Sequence, residues 1–544
     1  MSPAEEVDWA LAGATVHRDA ASAGSPEAIA MRDGRIVFVG PEEELRSRFG
    51  PAVPTRRARG GHVYPGFEDA HGHLHALGES LEQVRLDETR SLAEALTRVR
   101  GAAANLATTT WLVGGGWDES LWEEKRLPTA AELTEAAGGR PAVLTRRDHH
   151  AAWLSEPALA AIGYDKLGAD PDGGRIVRDA SGRPSGVLVD RAMSLALAAL
   201  PAPAPEIVRR RLLRALKACV AAGLTAVHDM GVDARTLAVL REIDREHALP
   251  LRVYAALRDD PTLWEAEFAR GPQKAEGARR LTVRAVKLFA DGALGSRGAA
   301  LFADYDDDPG NRGLPLLSGA ELADRLTRAT RAGFQCCVHA IGDRANRDVL
   351  DAFEALGKGP DGPALAGLRP RIEHAQVLTA DDVPRFATVG VIASMQPVHA
   401  AADQRWAEAR LGHERARLAY AWSSLHRARA RLCFGSDFPV ESFDPREGLL
   451  AARTRAPLGG EPQTAWFPEQ QVDTATAVAA YTSGAAYAAF AEGERGRIAE
   501  GLWADLTIWD RDLSSEPDSL RAARVMATVV AGRIEHSAQP LPLG

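Results

Sequence analysis

The sequence predicts an α/β protein built around a (β/α)8 TIM-like barrel, with a small β-sandwich formed from both chain ends. Three observations lead to this fold class. Eight short apolar segments alternate with helical segments, both ends contain only short strand candidates, and a long segment separates the first apolar segment from the second. Apolar strands that alternate with helices are typical of a parallel sheet, and eight such units favour a closed barrel.

Length and composition indicate a large globular protein. The chain has 544 residues, enough for a barrel of about 250 residues with additions. A net charge of −9 is small for this length and indicates no nucleic-acid or membrane-surface partner. Because the N-terminus lacks a signal-peptide pattern and no apolar run is long enough to span a membrane, we expect a cytoplasmic protein. The four cysteines lack zinc-ribbon spacing and are expected to be reduced thiols.

The two chain ends are predicted to form the β-sandwich together. Residues 28–40 contain two apolar runs joined by an Asp-Gly turn, which is typical of a β-hairpin. Residues 505–510 and 525–536 contain three further strand candidates. Because neither end can bury a core alone, we expect residues 1–62 and 486–544 to assemble into one domain.

The barrel itself is predicted from residues 63–75 and 206–485. Its helical segments include residues 206–222, 319–332 and 407–427. Its eight strands are predicted at residues 64–74, 224–230, 251–257, 283–290, 335–340, 371–375, 391–396 and 431–436.

Residues 76–205 are too long for a single crossover between the first two barrel strands. They contain Trp, Gly and Pro clusters, with further strand candidates at 141–145 and 186–189. We therefore expect an inserted subdomain over the mouth of the barrel, where active sites of this fold lie.

Two histidines end the first barrel strand. His71 and His73 are two positions apart, so in a strand both side chains point to one face and provide half of a metal site. Asp69 shares that face and is expected to orient a histidine ring. The alternative is a surface histidine cluster, because a His-x-His pair by itself is a weak motif.

Lys287 lies inside the otherwise apolar fourth strand. Burial of a bare ammonium group is costly, so chemistry that removes or uses its charge would explain the residue. A lysine carbamylated by CO₂ carries a carboxylate that can bridge two metal ions. The alternative is an ion pair with Asp291.

Three more candidate ligands lie at the ends of other strands. His339 ends the fifth strand, His374 the sixth and Asp437 the eighth. Catalytic residues of (β/α)8 barrels gather at these carboxyl ends. Together with His71, His73 and Lys287, these residues predict a metal site.

This set of ligands resembles that of the amidohydrolase superfamily. The surrounding motifs are similar to the branch that contains the N-substituted formamide deformylases (amidohydrolase family 3), and the resemblance extends over residues 34–532. The motifs are PGFEDAHGHL, GLTAVHDMG, VKLFADGALGSRGAAL, VHAIGDRAN, RIEHAQ and FGSDFPVE.

The resemblance implies one or two divalent metal ions, with zinc as the expected metal. It implies a more buried ion on His71, His73 and Asp437, a second ion on His339 and His374, and carbamylated Lys287 as the bridge. It also implies a metal-activated hydroxide as the nucleophile and Asp437 as the catalytic residue that accepts a proton and returns it to the leaving nitrogen. A single ion with unmodified Lys287 remains the alternative.

Five residues are candidates for substrate binding. Asp291 and Arg297 lie on the Gly-rich loop after Lys287, and Gln396 ends the seventh strand. Trp117 and His150 belong to the insert, which in the family reaches over the active site. The alternatives are a loop-bracing ion pair between Asp291 and Arg297, and packing of Trp117 and His150 within the insert.

Three other polar residues beside the motifs are not assigned as ligands. His228 ends the second strand and is expected beside the ligands, whereas His399 follows the seventh strand and is interpreted as structural. Glu68 replaces an apolar residue of the family. Because its side chain should face away from that of Asp69, we expect little effect on the ligands.

The predicted function is hydrolysis of a non-peptide C–N bond in a small-molecule amide or N-substituted formamide. A deaminase and a lactone or ester hydrolase are alternatives that use the same metal site. A non-enzymatic scaffold is a third alternative, which the presence of all six ligand positions disfavours. The resemblance also admits a homodimer, although the sequence locates no interface.

Overall fold

The computed structural model describes residues 7–104, 107, 110–147, 150–163, 170–171, 174–459 and 464–542. Two compact units divide the chain, Met1–Leu77 with Leu212–Gly544 and Gly78–Arg211.

The strands and helices are numbered in chain order. The strands are β1 (Trp9–Val16), β2 (Ser25–Arg32), β3 (Arg35–Gly40), β4 (Thr55–Arg57), β5 (His62–Pro65), β6 (Phe67–Gly72), β7 (Val84–Arg85), β8 (Leu112–Trp117), β9 (Ala142–Arg146), β10 (Ala151–Leu154), β11 (Gly174–Arg178), β12 (Pro184–Asp190), β13 (Leu224–Val232), β14 (Arg252–Arg258), β15 (Leu281–Phe289), β16 (Gln335–Ala340), β17 (Arg371–His374), β18 (Ile392–Met395), β19 (Arg431–Phe434), β20 (Leu506–Trp509), β21 (Val525–Val530) and β22 (Arg533–Ser537). The α-helices are α1 (Glu42–Phe49), α2 (Leu74–Ser80), α3 (Leu92–Ala103), α4 (Ala130–Ala136), α5 (Glu156–Ala161), α6 (Met193–Ala199), α7 (Pro205–Ala221), α8 (Ala234–Arg245), α9 (Pro261–Arg270), α10 (Gly319–Arg331), α11 (Asp343–Lys358), α12 (Gly362–Leu368), α13 (Val383–Val389), α14 (Pro397–Ala416), α15 (Trp422–Arg427), α16 (Pro445–Thr454), α17 (Thr474–Tyr481), α18 (Ser483–Ala488) and α19 (Pro517–Ala522).

The (β/α)8 barrel is confirmed. Its parallel strands follow one another in the order β6, β13, β14, β15, β16, β17, β18 and β19. A bridge between Gly72 and Phe438 links the ends of the first and last strands, so the barrel is nearly closed. Buried aliphatic residues dominate these strands, as in the near-continuous apolar pattern of the sequence.

The first predicted barrel strand, residues 64–74, is in fact two strands. β5 pairs with β1 and β20 in the terminal domain, whereas β6 pairs with β13 in the barrel. The chain changes sheets at Gly66, whose N–H donates to the carbonyl of Asp505 at 2.8 Å. A Cβ atom at Gly66 would lie 2.2 Å from Oγ1 of Thr225, so only glycine permits this close approach.

The predicted helix at residues 407–427 is likewise interrupted. α14 ends at Ala416, and α15 begins at Trp422. Between them Tyr420 has a φ of 55° and donates its N–H to the carbonyl of Gln376 at 2.6 Å. This contact ties the segment to the loop after β17 and draws the chain out of the helical path.

Both chain ends contribute to one β-domain, as predicted. Its strand order is β22, β21, β20, β5, β1, β2 and β3, and β4 pairs with β1. Buried residues of one core cluster come from both ends of the chain, including Leu11, Ile29, Val63, Ile508 and Val529. A second cluster joins β1, β2 and β3 to α1.

The unit Gly78–Arg211 contains a mixed sheet with the order β11, β12, β10, β9, β8 and β7. Trp117, Trp122 and Trp153 lie in its main core cluster. The expected location of this segment over the barrel mouth stays a prediction.

All four cysteines are buried and unbridged, in agreement with the sequence analysis. Among the described residues, the helices are all too short or too polar to cross a membrane.

Candidate metal centre

Three of the six predicted ligands converge at the carboxyl ends of the barrel strands. One side-chain nitrogen or oxygen from each of His71, His374 and Asp437 lies within 4.8 Å of the others, and all three residues are buried. They come from β6, β17 and the turn after β19, which are distant in sequence but adjacent at one end of the barrel.

His71 is held by a buried carboxylate. Its Nδ1 lies 2.6 Å from Oε2 of Glu373, so Nδ1–H donates and the other ring nitrogen keeps its lone pair. That second nitrogen, Nε2, is buried and has no hydrogen-bond partner in the described structure. Burial lowers the pKa of His71 to about 4, an effect that the nearby Lys287 ammonium reinforces, so the ring is neutral at pH 7. An unpartnered neutral nitrogen fits a metal ligand.

His374 is oriented in the same way by an amide. Its Nδ1–H donates to Oε1 of Gln396 at 2.8 Å, and the amide nitrogen of Gln396 donates to the carbonyl of Ser394 at 3.2 Å. Gln396 therefore holds the ring of His374 in place. Direct contact of Gln396 with a substrate stays a prediction.

His73 and His339 lie beside these ligands. Nε2 of His73 is 2.9 Å from Oδ1 of Asp437. The ring of His339 packs edge-to-face on that of His374, with centroids 4.5 Å apart, and burial lowers the pKa of His339 to about 3. Both imidazoles are therefore within reach of the same small volume as the first three candidates.

Lys287 is buried at the same end of the barrel. Its Nζ has no hydrogen-bond partner among the described residues and lies 4.9 Å from the centre of the Phe289 ring. Burial lowers the pKa of Lys287, although Glu373 and Asp437 act in the opposite direction. A buried amine without a partner is costly, so this position fits a modified or metal-bound lysine.

The alternative ion pair between Lys287 and Asp291 does not form in the described structure. Asp291 instead accepts hydrogen bonds from the backbone N–H groups of Ala300, Ile341 and Gly342, at 2.8 to 3.0 Å. These bonds tie the loop after β15 to the loop after β16. Both carboxylate oxygens of Asp291 thus already have hydrogen-bond partners in the loops after β15 and β16.

The contacts of Arg297 exclude a second alternative from the sequence, its ion pair with Asp291. Its guanidinium donates to both carboxylate oxygens of Asp307, at 3.1 and 3.0 Å, and not to Asp291. The proposed loop brace between Asp291 and Arg297 is therefore wrong, because each side chain is engaged by another partner.

The two candidates from the insert lie in the unit Gly78–Arg211. Trp117 is fully buried and donates its indole N–H to the carbonyl of Leu144 at 2.7 Å, so it packs in the core of that unit. His150 is exposed, with Nδ1 2.8 Å from Oδ1 of Asp190. A role of either residue in substrate binding stays a prediction.

Asp69 acts on the backbone instead of orienting a histidine ring. Its Oδ1 accepts from the N–H groups of His71 and Ser436 at 3.0 and 3.2 Å, and the Ser436 hydroxyl donates to Oδ2 at 2.7 Å. These bonds join the end of β6 to the turn that carries Asp437.

Sequence analysis missed a chain of buried charges behind His71. Arg371 donates to both oxygens of Glu373 at 2.8 and 3.1 Å, and its Nη1 donates to Nδ1 of His228 at 2.9 Å. His228 in turn lies 3.7 Å from Glu68, which accepts two hydrogen bonds from Arg495 at 2.8 and 3.0 Å. The signal in the sequence was the pair of charges two residues apart in the buried strand β17.

His399 was also missed as a residue of the site. Its Nε2 is buried, has no hydrogen-bond partner in the described structure and lies 3.9 Å from Oδ2 of Asp437. Its ring stacks on that of His374 at a centroid distance of 6.0 Å. The position three residues after Gln396, in the first turn of α14, brings His399 to the barrel mouth.

Exposed apolar side chains lie next to the candidate ligands. Phe289 is 42% exposed, and its ring centre is 5.3 Å from that of His339. Val440 is 65% exposed, and its N–H donates to the carbonyl of Asp437 at 3.0 Å. Leu316 is also exposed, and its N–H donates to the carbonyl of Ala290. We call Phe289, Leu316 and Val440 the apolar rim.

Comparisons with known proteins find relatives that match nearly the whole chain. A family profile described as "Amidohydrolase family" matches residues 57–536. A putative amidohydrolase of Bacillus subtilis is 32% identical over 517 residues, which cover 93% of this chain and 95% of the relative. An N-substituted formamide deformylase of Arthrobacter pascens is 27% identical over 544 residues, covering 97% of this chain and 98% of the relative.

The fold also agrees with that of a solved structure. The crystal structure of an uncharacterized metal-dependent hydrolase from Pyrococcus furiosus superimposes with a TM-score of 0.78 and 29% sequence identity. The match covers 93% of this chain and 99% of that structure.

Proposed function

This chain belongs to the amidohydrolase family of metal-dependent hydrolases, and we propose that it cleaves a non-peptide C–N bond in an amide or N-substituted formamide. The proposal rests on one observation: the buried carboxylate of Asp437 lies 3.4 Å from Nε2 of His71, a nitrogen without a hydrogen-bond partner in the described structure. An amide nitrogen leaves only when it is protonated, so its hydrolysis needs a group that first takes and then returns a proton.

The donor set fits a divalent metal, and zinc is the proposed ion because it prefers imidazole and carboxylate ligands. When bound, the ion would lower the pKa of a coordinated water and polarise the substrate carbonyl. The proposed holders are His71, His73, Lys287, His339, His374 and Asp437.

We also propose that Lys287 is carbamylated. Its Nζ is buried and unpartnered in the described structure, and reaction with CO₂ converts such an amine into a carboxylate that can bind a metal. The ammonium first loses one proton; the free amine nitrogen then bonds to the carbon of CO₂ and releases a second proton, so a cation becomes an anion. The product carboxylate would contribute to a two-metal site, whereas an unmodified lysine would restrict the site to one ion.

Asp437 is the proposed proton carrier. The imidazole of His73 contacts Oδ1 at 2.9 Å and fixes the carboxylate, while His399 lies 3.9 Å from Oδ2. Burial raises the pKa of Asp437, but contacts with His71 and the hydrogen bond from His73 outweigh burial and hold the pKa well below its usual range. The carboxylate is therefore ionised at pH 7, which is the protonation state that a proton acceptor needs.

The apolar rim supports a substrate with a hydrocarbon substituent. Phe289 and Val440 expose apolar surface beside His339 and Asp437, where a substituent on the scissile nitrogen could pack. Burial of such a group contributes about 25 cal/mol per Å² of apolar surface. The similarity to a formamide deformylase supports a formyl group on the other side of the bond.

The test measures formate and amine release from N-alkyl and N-aryl formamides, with the matching acetamides and unsubstituted formamide as comparisons. We expect turnover of the N-substituted formamides by metal-loaded protein and its loss in Asp437→Asn. No amide turnover by protein with verified metal content would refute the proposal. Ammonia release from an aromatic amine, or lactone or ester opening, would assign a deaminase or an esterase instead.

A further inference from the structure

We propose that His17, His62 and Asp512 form a second divalent-metal site in the terminal β-domain, separate from the candidate active site. One ligand atom from each residue lies within 4.8 Å of the other two. Nε2 of His17 and Nδ1 of His62 are 3.1 Å apart. Two imidazole nitrogens and a carboxylate oxygen favour zinc, nickel or copper over calcium or magnesium.

The sheet itself brings the three residues together. His17 directly follows β1, His62 begins β5 and Asp512 follows β20, and these strands are neighbours in the sheet. In the parallel pair of β1 and β5, His62 lies opposite Thr15, and in the antiparallel pair of β20 and β5 it lies opposite Trp509. The site therefore joins the N-terminal strands to a strand from the other end of the chain.

Surrounding contacts hold two of the ligands in place. The ring of Tyr64 stacks on that of His17, with centroids 4.1 Å apart and planes 6° apart. The Tyr64 hydroxyl donates to Oδ1 of Asp512 at 2.8 Å. Both the N–H and the hydroxyl of Ser514 also donate to Oδ1 at 2.8 Å, which leaves Oδ2 to bind an ion. Such fixed ligands reduce the ordering cost of metal binding.

Gly24 also packs closely against the ring of His17. A Cβ atom at this position would lie 2.6 Å from Cε1 of His17, so a larger residue would displace the ring. Tyr64 and Gly24 therefore both restrict the position of the His17 ring. His62 and Asp512 are only partly buried, so an ion can enter from solvent and water can complete its coordination.

A direct hydrogen bond between the two imidazoles is the competing explanation. The observed 3.1 Å separation fits such a bond. It is also close to the distance of about 3.3 Å between two nitrogens bound tetrahedrally at about 2.0 to 2.1 Å from one ion. The carboxylate of Asp512 favours the metal, because a hydrogen-bonded imidazole pair alone does not need a third ligand held in place by Tyr64 and Ser514.

Metal titration of protein already loaded at its active site tests the proposal. Zinc and nickel are added to wild type, His62→Gln and Asp512→Asn, and bound metal is measured after gel filtration. We expect wild type to bind one equivalent more than either variant, and its thermal unfolding midpoint to rise with metal. His413→Gln is the matched control, because His413 is exposed and pairs with Glu408, and neither residue is a proposed ligand of either site.

The proposal is overturned if wild type and His62→Gln bind the same number of metal equivalents and show the same metal-induced shift of the unfolding midpoint. The hydrogen bond between the imidazoles would then explain their contact. His62 is partly exposed, so we expect its variant to fold, and circular dichroism checks this. A Co²⁺ absorption band that persists in His71→Ala but disappears in His62→Gln would assign the signal to this site and not to the active site.

Discussion

Nδ1 of His71 lies 2.6 Å from a carboxylate oxygen of Glu373, and both side chains are fully buried. Because Nδ1–H is engaged in this bond, Nε2 is the nitrogen left to bind a metal. Arg371 holds Glu373 from the other side with two hydrogen bonds. The orientation of His71 thus depends on Glu373 and Arg371, which are not among the proposed metal ligands.

Glu373→Gln tests this dependence. The variant keeps the size of the side chain but removes its charge, so we expect the affinity for the active-site metal to fall about 10- to 100-fold. Chelator competition followed by metal analysis measures the affinity. Glu408→Gln is the matched control, because Glu408 contacts the ring of exposed His413 at the same type of nitrogen, 2.8 Å away. Equal affinities in wild type and Glu373→Gln would contradict the assigned role.

Gln396→Leu separates a positioning role from substrate binding. The structure has Gln396 accepting from Nδ1 of His374, so loss of the amide should weaken metal binding and lower kcat. Gln396→Glu keeps an acceptor oxygen and should retain most of the affinity. A raised KM with unchanged metal affinity in Gln396→Leu would instead indicate direct substrate contact.

The sequence predicted the barrel strands, and placed the candidate ligands at the strand ends, because both depend on local patterns. Apolar runs of strand length, and histidines two residues apart, are visible without knowledge of the fold. The contact between Glu68 and Arg495 joins residues 427 positions apart, and no local pattern reveals such a partner. The same holds for His399, whose place beside Asp437 follows only from the geometry of the barrel mouth.

Lys287→Met tests carbamylation. Methionine fits the apolar surroundings of the lysine stem but cannot react with CO₂, so we expect at most one equivalent of active-site metal where wild type holds two. Wild-type apoprotein should regain activity faster when bicarbonate accompanies the metal, and ¹³C-bicarbonate should give a carbamate signal in the NMR spectrum. Identical metal content in both proteins and no such signal would support an unmodified lysine.

The buried ion pair of Glu68 and Arg495 provides the last prediction. Removal of one partner leaves an uncompensated buried charge, so Glu68→Leu should lower the free energy of unfolding by about 3 to 5 kcal/mol. Glu68→Leu with Arg495→Met removes both charges and should recover most of that loss, as measured by urea denaturation. Arg297→Met with Asp307→Asn, an exposed pair, should cost about 1 kcal/mol or less.

The double variant also tests whether the buried contacts that lead from Glu68 to Glu373 affect metal binding. Glu68 lies 3.7 Å from His228, which accepts a hydrogen bond from Arg371. If Glu68 only neutralises the charge of Arg495, the double variant should bind the active-site metal as tightly as wild type. That result would agree with the expectation from the sequence that Glu68 has little effect on the ligands. If it also orients His228 and through it Arg371, metal affinity should fall even though stability recovers. Chelator competition on the folded double variant distinguishes the two outcomes, because the stability measurement alone does not report the position of Glu373.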